Sequence, residues 1–307
     1  MVNAVCNICS GNQVELIYDV SDFWLKNFSK QYQYYQCQTC GVIFRNSKPS
    51  EIDFNFIYPP NYEVYTQHNT RDKVNQFLID FGLLKRYKVF SKYIDKGTIL
   101  DIGCADGAFL SYLKKYNGWK LYGVEKNDEI PKSRYSLNGV NIFYGDLKQA
   151  NYNNMQFDIV TMWDVIEHIE DPIGILCEIN RILKKDGFLI IKVPNGRCLD
   201  VKIFKKYWAG IDAPRHIYIF NKENLGCLLQ NSGYEIKKAI TQFGGYLNFL
   251  KSLQFLLSEK KIFNEQKLDS LIRLLKNPFF RVLSFPIFKI INLLGYGSSL
   301  VIVARKN

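Results

Sequence analysis

The chain has 307 residues, of which 47% are hydrophobic and 22% charged, and it carries a formal net charge of +11. This length is sufficient for one α/β core with appended segments. The most apolar stretch, residues 278–296, is interrupted by Arg281, Pro286 and Lys289, so its runs are too short to cross a bilayer. The positive charge makes anionic partners a possibility that has to be weighed.

Two Cys-x-x-Cys pairs stand near the N-terminus, Cys6 with Cys9 and Cys37 with Cys40. Four thiolates at this spacing favour tetrahedral coordination of zinc over disulfides. No signal peptide precedes Cys6, and the other cysteines show no pairing pattern. We therefore predict a zinc-ribbon module over residues 1–45 of a cytoplasmic protein, with a structural Zn²⁺ rather than a catalytic one.

The predicted module has no excess of positive charge, since its three cations balance its three carboxylates. It therefore lacks the basic face that nucleic acid binding requires, and no nucleic acid partner is expected. Basic residues concentrate instead in residues 181–215 and in 246–307, where ten Lys or Arg stand against three Asp or Glu. These segments predict contact with an anionic small molecule or an anionic membrane surface, with a solvated lysine-rich surface as the alternative.

A linker with lead-in helices is predicted over residues 46–97, with its main helix over 70–94. The strongest indication of a ligand site follows it. An apolar strand ends at Asp101, and a tight turn with Gly103, Ala105 and Gly107 leads into a helix. The next strand ends in Glu125, a carboxylate suited to ribose hydroxyls. This arrangement predicts a nucleoside pocket, against the alternative of an ordinary strand–helix turn.

The strand and helix patterns continue to alternate along the chain, which predicts an α/β fold with a parallel sheet and helices on both faces. Further strands are predicted over residues 140–144, 157–163, 188–193, 234–243 and 298–305. A helix is expected to begin at Asp171-Pro172 and to end at Asp186-Gly187. Residues 244–297 are predicted as a helical insertion. Within it, residues 278–296 are expected to form a buried cover over the sheet, the alternatives being membrane contact or an acceptor wall.

The spacing of Asp101, Gly103, Ala105 and Gly107 resembles the first motif of class I S-adenosylmethionine-dependent methyltransferases, with Ala105 in place of a glycine. The methyltransferase domain is accordingly predicted over residues 98–307. The resemblance implies a Rossmann-like seven-stranded sheet with an antiparallel hairpin at one edge, and S-adenosylmethionine as cofactor. It also implies that the turn holds the methionyl end and Glu125 the ribose. The adenine would be held by Asp146 and Leu147, and Trp163 is a further candidate for cofactor binding.

Residues 157–172 look like the methyltransferases of sugars, quinones and lipids, and residues 207–220 are close to a Pro-x-His-x-x-x-Phe segment of a bacterial group associated with surface polysaccharides. The resemblance implies methyl transfer to oxygen or carbon of a sugar, sugar nucleotide or lipid-linked glycan. An RNA methyltransferase and a non-catalytic scaffold remain alternatives.

A general base is the main catalytic requirement if the acceptor carries a proton. His216 is the first candidate and His168 is the second, and Asp212, four residues before His216, is a further catalytic candidate. His68 lies in a polar loop and is the weakest. Residues Asp164, Glu167 and His168 are similar to a Glu-x-x-Glu-His run of ubiquinone-type O-methyltransferases. That similarity leaves Mg²⁺ as a minor alternative.

Overall fold

The computed structural model describes residues 4–46, 73–126, 136–242 and 245–307. His68 lies outside the described residues. The strands are β1 (Val14–Asp22), β2 (Asn27–Cys37), β3 (Ile43–Arg45), β4 (Gly97–Ile102), β5 (Trp119–Glu125), β6 (Val140–Tyr144), β7 (Phe157–Trp163), β8 (Leu183–Pro194), β9 (Tyr218–Ile219), β10 (Tyr234–Gln242) and β11 (Ser299–Lys306). The helices are α1 (Lys73–Phe90), α2 (Ala108–Leu113), α3 (Pro172–Ile182), α4 (Leu199–Phe204), α5 (Lys222–Asn231), α6 (Gly245–Glu259), α7 (Glu265–Leu275) and α8 (Pro278–Leu293).

Seven strands form the central sheet in the order β10-β11-β8-β7-β4-β5-β6. The strands β4 to β8 are mutually parallel, while β11 runs antiparallel to both β8 and β10. The middle strands are apolar on both faces because helices cover the sheet on both sides. The predicted Rossmann-like sheet and its edge hairpin are therefore confirmed. The carboxyl ends of the parallel strands meet at one edge, which holds the candidate site.

A second sheet has four strands in the order β1-β2-β3-β9, and it does not stay within the predicted N-terminal module. Its first three strands come from residues 14–45, but β9 is Tyr218–Ile219, which pairs with β3. Val42 and Phe44 lie in the same hydrophobic core as Phe220 and Leu225. The N-terminal segment thus forms a sheet and a hydrophobic core together with the chain segment that carries His216. The domain boundaries themselves stay a prediction.

One predicted boundary was wrong. The helix α3 begins at Pro172 with Asp171 as its N-cap, as expected, but it ends at Ile182 rather than at Asp186-Gly187. The backbone becomes extended at Leu183, where β8 begins. Asp186 has a positive φ of 63° within that strand. The expected end rested on Asp186-Gly187, a pair that is common at helix C-termini. Here the pair lies within a strand, so it did not locate the end of the helix.

The insertion before the last strand is helical, as predicted, but residues 278–296 are not the buried cover that the sequence favoured. No side chain of α8 is buried, and Val282 and Leu293 are 73% and 78% exposed. The helix packs through Phe288 on Tyr246 and Phe249 of α6, and its other side faces solvent. None of the helices in the described residues is both long and apolar enough to cross a membrane.

Candidate active site

The turn between β4 and α2 has the conformation of a ligand-binding loop. Gly103, Ala105 and Gly107 all have positive φ, of 70°, 48° and 74°. A Cβ at Gly103 would lie 2.6 Å from Val165 Cγ2, so only glycine fits there. The left-handed conformation costs Ala105 about 1 kcal/mol, and its N–H donates to Glu125 Oε2 at 2.9 Å. The structure therefore brings the predicted loop and Glu125 together.

Asp101 ends β4 beneath this loop and is 2% exposed. It accepts a 2.6 Å hydrogen bond from the hydroxyl of Thr161 on β7. Burial raises the pKa of Asp101 to about 7, although Thr161 and Arg86 act in the opposite direction. Because this pKa is close to neutral pH, a bound cation such as an amino group would favour the ionised form of the carboxyl group. This property suits the role that the resemblance implies.

The remaining residues predicted to bind the cofactor lie along the same edge of the sheet. Asp146 follows β6 and is 3.5 Å from Lys126 Nζ, while Leu147 is buried. Trp163 ends β7, and the indole Nε1 is buried with no hydrogen-bond partner among the described residues. Arg86 of α1 lies 5.2 Å from the centre of the Trp163 ring. Sequence reasoning missed Arg86, because nothing in its local sequence distinguishes it from other lysines and arginines of that helix.

These residues fit S-adenosylmethionine on three observations. The loop presents a narrow approach lined by glycine, the buried Asp101 carboxyl suits a cationic group, and the buried Trp163 N–H has no acceptor within the described part of the chain. Glu125 stands at the end of β5, where a carboxylate suits a ribose. The set predicted from the sequence is therefore clustered at one place.

A second cluster adjoins the loop through Val165. The short 3₁₀ helix Ile166–His168 follows this residue and carries Glu167 and His168. The ring of His168 packs against that of His216 with 4.6 Å between centroids. His216 Nδ1 lies 2.9 Å from the carbonyl oxygen of Gly210, so Nδ1 carries the proton and Nε2 has the lone pair. His216 Nε2 is 3.8 Å from Asp212 Oδ2 and 4.0 Å from Glu167 Oε1.

The electrostatics of this cluster distinguish its members. Burial, together with the charge of His216, lowers the pKa of His168 to about 3, so His168 is neutral and weakly basic. Burial opposes ionisation of Asp212, but Arg215 and His216 outweigh it and lower the pKa of Asp212. Burial, followed by the charge of Asp164, raises the pKa of Glu167 well above its usual value. Both Glu167 carboxyl oxygens lack a hydrogen-bond partner among the described residues. His216 is thus the better placed of the two histidines to accept a proton.

The residues that lie close enough to bind one metal ion differ from those that the sequence suggested. Asp164 binds Lys192 Nζ at 2.5 Å, and the group whose ligand atoms lie within 4.8 Å of one another is Glu167, His168 and His216. Two imidazoles and one carboxylate suit a transition metal better than Mg²⁺, which prefers oxygen ligands. The predicted trio of Asp164, Glu167 and His168 is therefore wrong as a set, because Asp164 is engaged by Lys192.

A buried ion pair joins the N-terminal segment to this cluster. Arg215, next to His216, donates to both carboxylate oxygens of Asp22 at the end of β1, at 2.7 and 2.9 Å. It also donates to Asp212 at 2.6 Å. The Tyr34 hydroxyl on β2 donates to the His216 carbonyl oxygen at 2.8 Å. Sequence reasoning missed both links, because no short-range pattern connects residues so far apart in the chain.

The four N-terminal cysteines form a compact cluster. Cys6 Sγ and Cys40 Sγ are 3.7 Å apart, and Cys9 Sγ and Cys37 Sγ are 3.5 Å apart. Four sulfurs at about 2.3 Å from one Zn²⁺ would be separated by about 3.8 Å in a tetrahedron. All eight cysteines lie in the described residues and none forms a disulfide. The donor set and its spacing therefore fit zinc.

Comparisons with known proteins agree with this geometry. A family model for a methyltransferase domain matches residues 67–239, which is more than half of the chain. A ubiquinone biosynthesis O-methyltransferase of Haemophilus ducreyi is 30% identical over 107 residues, which is 32% of this chain and 45% of that protein. A tRNA U34 carboxymethyltransferase of Campylobacter lari is 29% identical over 132 residues, 39% of this chain and 44% of that protein. The chain thus spans about half the length of these curated relatives.

A solved structure shows the same fold over a longer range. The crystal structure of a SAM-dependent methyltransferase from Archaeoglobus fulgidus matches with a TM-score of 0.51 at 17% identity, covering 80% of this chain and 100% of that one. At this identity the likeness shows the fold alone. The family model rests on more than half of the chain and agrees with the observed sheet and loop. The chain therefore belongs to the methyltransferase-domain family, with the fold of class I SAM-dependent methyltransferases.

Proposed function

We propose that the protein is an S-adenosylmethionine-dependent methyltransferase that methylates an oxygen or carbon of a small acceptor, with His216 as general base. The observation that carries this proposal is the contact between the cofactor loop and the histidine cluster. Gly103 packs against Val165 so closely that a Cβ would clash, and Glu167 and His168 follow Val165 directly. The ring of His216 lies against that of His168, next to this contact.

When bound, S-adenosylmethionine supplies a methyl group on a sulfonium that is already activated toward nucleophiles. The residues of the chain have to align the acceptor and remove its proton. Gly210 accepts from His216 Nδ1 and so leaves Nε2 able to take that proton. Asp212, whose carboxylate oxygen lies 3.8 Å from Nε2, would stabilise the resulting imidazolium.

The acceptor we favour is a sugar, a sugar nucleotide or a lipid-linked glycan, as the Pro-x-His-x-x-x-Phe segment implies. One curated relative is named for ubiquinone biosynthesis and another for a tRNA modification, so the relatives do not agree on one acceptor. RNA methylation is accordingly the second candidate, favoured by the tRNA enzyme. Against it stands the N-terminal module, whose cations and carboxylates are equal in number.

We further propose that Cys6, Cys9, Cys37 and Cys40 hold a structural Zn²⁺. The support is the sulfur spacing together with the position of the cluster at the end of β2, which pairs with β3 and so with β9. An ion there would stabilise the sheet whose strand β9 begins two residues after His216. Its contribution would be to folding and not to the chemical step.

Contact with an anionic membrane surface through α8 is the last part of the proposal. The side of α8 that faces solvent carries Phe279, Val282, Leu283, Ile287, Ile290 and Leu293, all more than half exposed. Residues 270–307 contain no Asp or Glu, while Arg273, Lys276, Arg281 and Lys289 lie in α8 or within five residues before it in the sequence. An exposed apolar helix face in a basic segment suits anionic lipid, and two copies of it would repel each other.

The deciding experiment is transfer of a radiolabelled methyl group from S-adenosylmethionine into a fractionated extract of the source organism. Label in the anionic small-molecule or glycolipid fraction is the expected result. Label in RNA would replace the small acceptor by RNA. If no fraction is labelled while S-adenosylhomocysteine still binds by calorimetry, the chain is a cofactor-binding scaffold and the proposal is wrong.

A further inference from the structure

A cavity of about 980 Å³ lies beside the candidate active site, and the mechanism above does not use it. Its floor includes Asn195 to Cys198, which directly follow β8, and Ala239 to Thr241 of β10. Its outer wall is formed by α8, through the partly buried Phe288 and the exposed Phe285. The volume is that of a site for a nucleotide-sized molecule.

The wall of the cavity is strongly positive. Six cations line it, from α1, from the segment after β8, from α4, from the start of α5 and from α8: Lys85, Arg197, Lys202, Lys222, Arg281 and Lys289. Among the described lining residues the only carboxylate is Glu223, which pairs with Arg197 at 2.8 Å. Because these cations come from five separate parts of the chain, the charge is produced by the fold and not by a basic run in the sequence.

The cations also act on one another. Burial and the charge of Arg281 lower the pKa of Lys85, which shows that two cations from different helices are close enough to disfavour each other's charge. An anion in the cavity would relieve this repulsion. A concave site with walls of one sign concentrates counterions of the opposite sign. A diphosphate, which carries two to three negative charges on several acceptor oxygens, could engage several of these side chains together.

The position of the cavity connects it to the reacting end of the site. Gly196, which lines the cavity, donates its backbone N–H to the carbonyl oxygen of Phe220 at 2.7 Å, four residues after His216. Asn195 follows Pro194 at the end of β8, the strand that pairs with β7. A molecule whose charged part occupies the cavity would therefore extend along the same edge of the sheet that carries the cofactor loop and His216.

On this basis, which rests on the proposed function, we infer that the cavity binds the diphosphate group of the acceptor. The acceptor is thereby a diphosphate ester, with the methylated part directed toward His216 and the diphosphate between α4 and α8. Phe285, Phe288 and Tyr296 give the cavity apolar surface for the remainder of the molecule. The experiment below distinguishes whether this remainder is a nucleoside or an isoprenoid.

The test is calorimetric titration of the full zinc-loaded chain, saturated with S-adenosylhomocysteine, with inorganic pyrophosphate. We expect Lys202→Ala/Arg281→Ala to weaken pyrophosphate binding by about tenfold or more, because each removes a charged hydrogen-bond donor. Arg273→Ala/Lys276→Ala is the matched control, since it removes the same charge from residues that do not line the cavity. The control should bind pyrophosphate as the wild type does.

The inference is overturned if both double variants lose pyrophosphate affinity equally, which means general charge attraction, or if neither variant loses affinity. A single-stranded RNA oligonucleotide that displaces pyrophosphate at lower concentration than uridine diphosphate does would also overturn it. Uridine diphosphate and farnesyl diphosphate then distinguish a nucleotide-linked acceptor from a lipid-linked one by which binds more tightly. Failure of S-adenosylhomocysteine to bind the wild type would refute the proposed function instead, so the two failures are separable.

Discussion

Asp22 and Arg215, 193 positions apart in the chain, form a buried ion pair in which both carboxylate oxygens accept from the guanidinium. The two side chains are 2% and 0% exposed. Arg215 is the neighbour of His216, so the pair fixes the candidate base to the first strand of the N-terminal sheet. The N-terminal segment therefore has a direct part in shaping the site.

Removing one partner of this pair should be costly. In Asp22→Asn the Arg215 charge stays buried with Asp212 as its remaining carboxylate, and we expect a loss of about 3–5 kcal/mol in the free energy of unfolding by urea. Asp19→Asn is the control, because Asp19 is an exposed carboxylate of the same strand. A loss equal to that of the control would mean that the pair contributes nothing.

Loss of the metal should weaken the same part of the molecule. We expect one zinc per chain by elemental analysis, and its absence in Cys9→Ser. The thermal midpoint of that variant should fall by about 5 °C or more, because β2 and β3 lose their anchor next to β9. Cys227→Ser replaces an exposed cysteine outside the cluster and should retain both metal and midpoint. A zinc-free wild type with the same midpoint as the loaded protein would contradict the prediction.

Replacing the candidate base should affect turnover and not cofactor binding. His216→Asn keeps a side-chain N–H that can donate to Gly210 but cannot accept the proton of an acceptor. Methyl transfer into the labelled fraction should fall by about 10²–10⁴-fold. The affinity for S-adenosylhomocysteine, measured by calorimetry, should match that of the wild type. Full activity in this variant would exclude His216 as the base.

The buried carboxyl groups Asp101 and Glu167 make the free energy of unfolding decrease as pH rises. The pKa of Asp101 is about 7 in the folded chain, against 3.8 for an unperturbed Asp, so the folded state binds more protons between about pH 4 and pH 7. This contribution is fully present below the unfolded pKa and is lost as pH rises through the folded one. Glu167, whose pKa burial also raises, acts in the same sense.

His168, whose pKa is lowered to about 3 from 6.5, acts in the opposite sense up to about pH 6.5, so the test is a comparison between variants. We expect the Asp101 carboxyl group to make the free energy of unfolding of the ligand-free wild type decrease between pH 5 and pH 8 relative to a variant that lacks this group, measured by urea titration at each pH. Asp101→Asn should show a smaller decrease, since Asn does not titrate. Asp95→Asn replaces an exposed carboxyl group and should keep the wild-type slope. An identical slope in Asp101→Asn and the wild type would show that Asp101 is ionised in the folded chain.

The exposed side of α8 predicts lipid binding. Sedimentation with phosphatidylglycerol vesicles should fall by about tenfold or more in Leu283→Ser/Ile290→Ser, because both apolar side chains lose their contact with lipid. Met155→Ser/Ile173→Ser removes exposed apolar side chains elsewhere and should sediment as the wild type does. Phosphatidylcholine vesicles should bind little of any variant. If the wild type does not sediment with phosphatidylglycerol vesicles, α8 has a different partner.

The parts of the fold that could be predicted are those with a local signal. The turn at Gly103, the carboxylates at the ends of β4 and β5, and the alternation of strands and helices all depend on residues close together in the chain. The position of α8 could not be predicted in this way. Its apolar residues occupy nearly its whole circumference, so the pattern did not indicate which side has a partner.

The site shows the same division. His216 and Glu125 could be named from their motifs, and the structure places both at the expected edge of the sheet. The contacts of Arg215 with Asp22 and of Arg86 with Trp163 depend on chain segments that meet only in the folded molecule. Asp164 illustrates the limit of a motif, because a lysine of the adjacent strand binds the carboxylate that the motif would assign to a metal.

The strand β11 lies between β10 and β8, and five of its residues, Leu300 to Ala304, are almost fully buried. Among the strands that the structure describes, β11 alone pairs with β10, so β10 enters the sheet only after residues 299–306 have left the ribosome. The N-terminal cysteines and the cofactor loop are synthesised long before that point. During translation, the parallel half of the sheet can assemble first, while the wall of the cationic cavity that depends on β10 forms only after β11 is available.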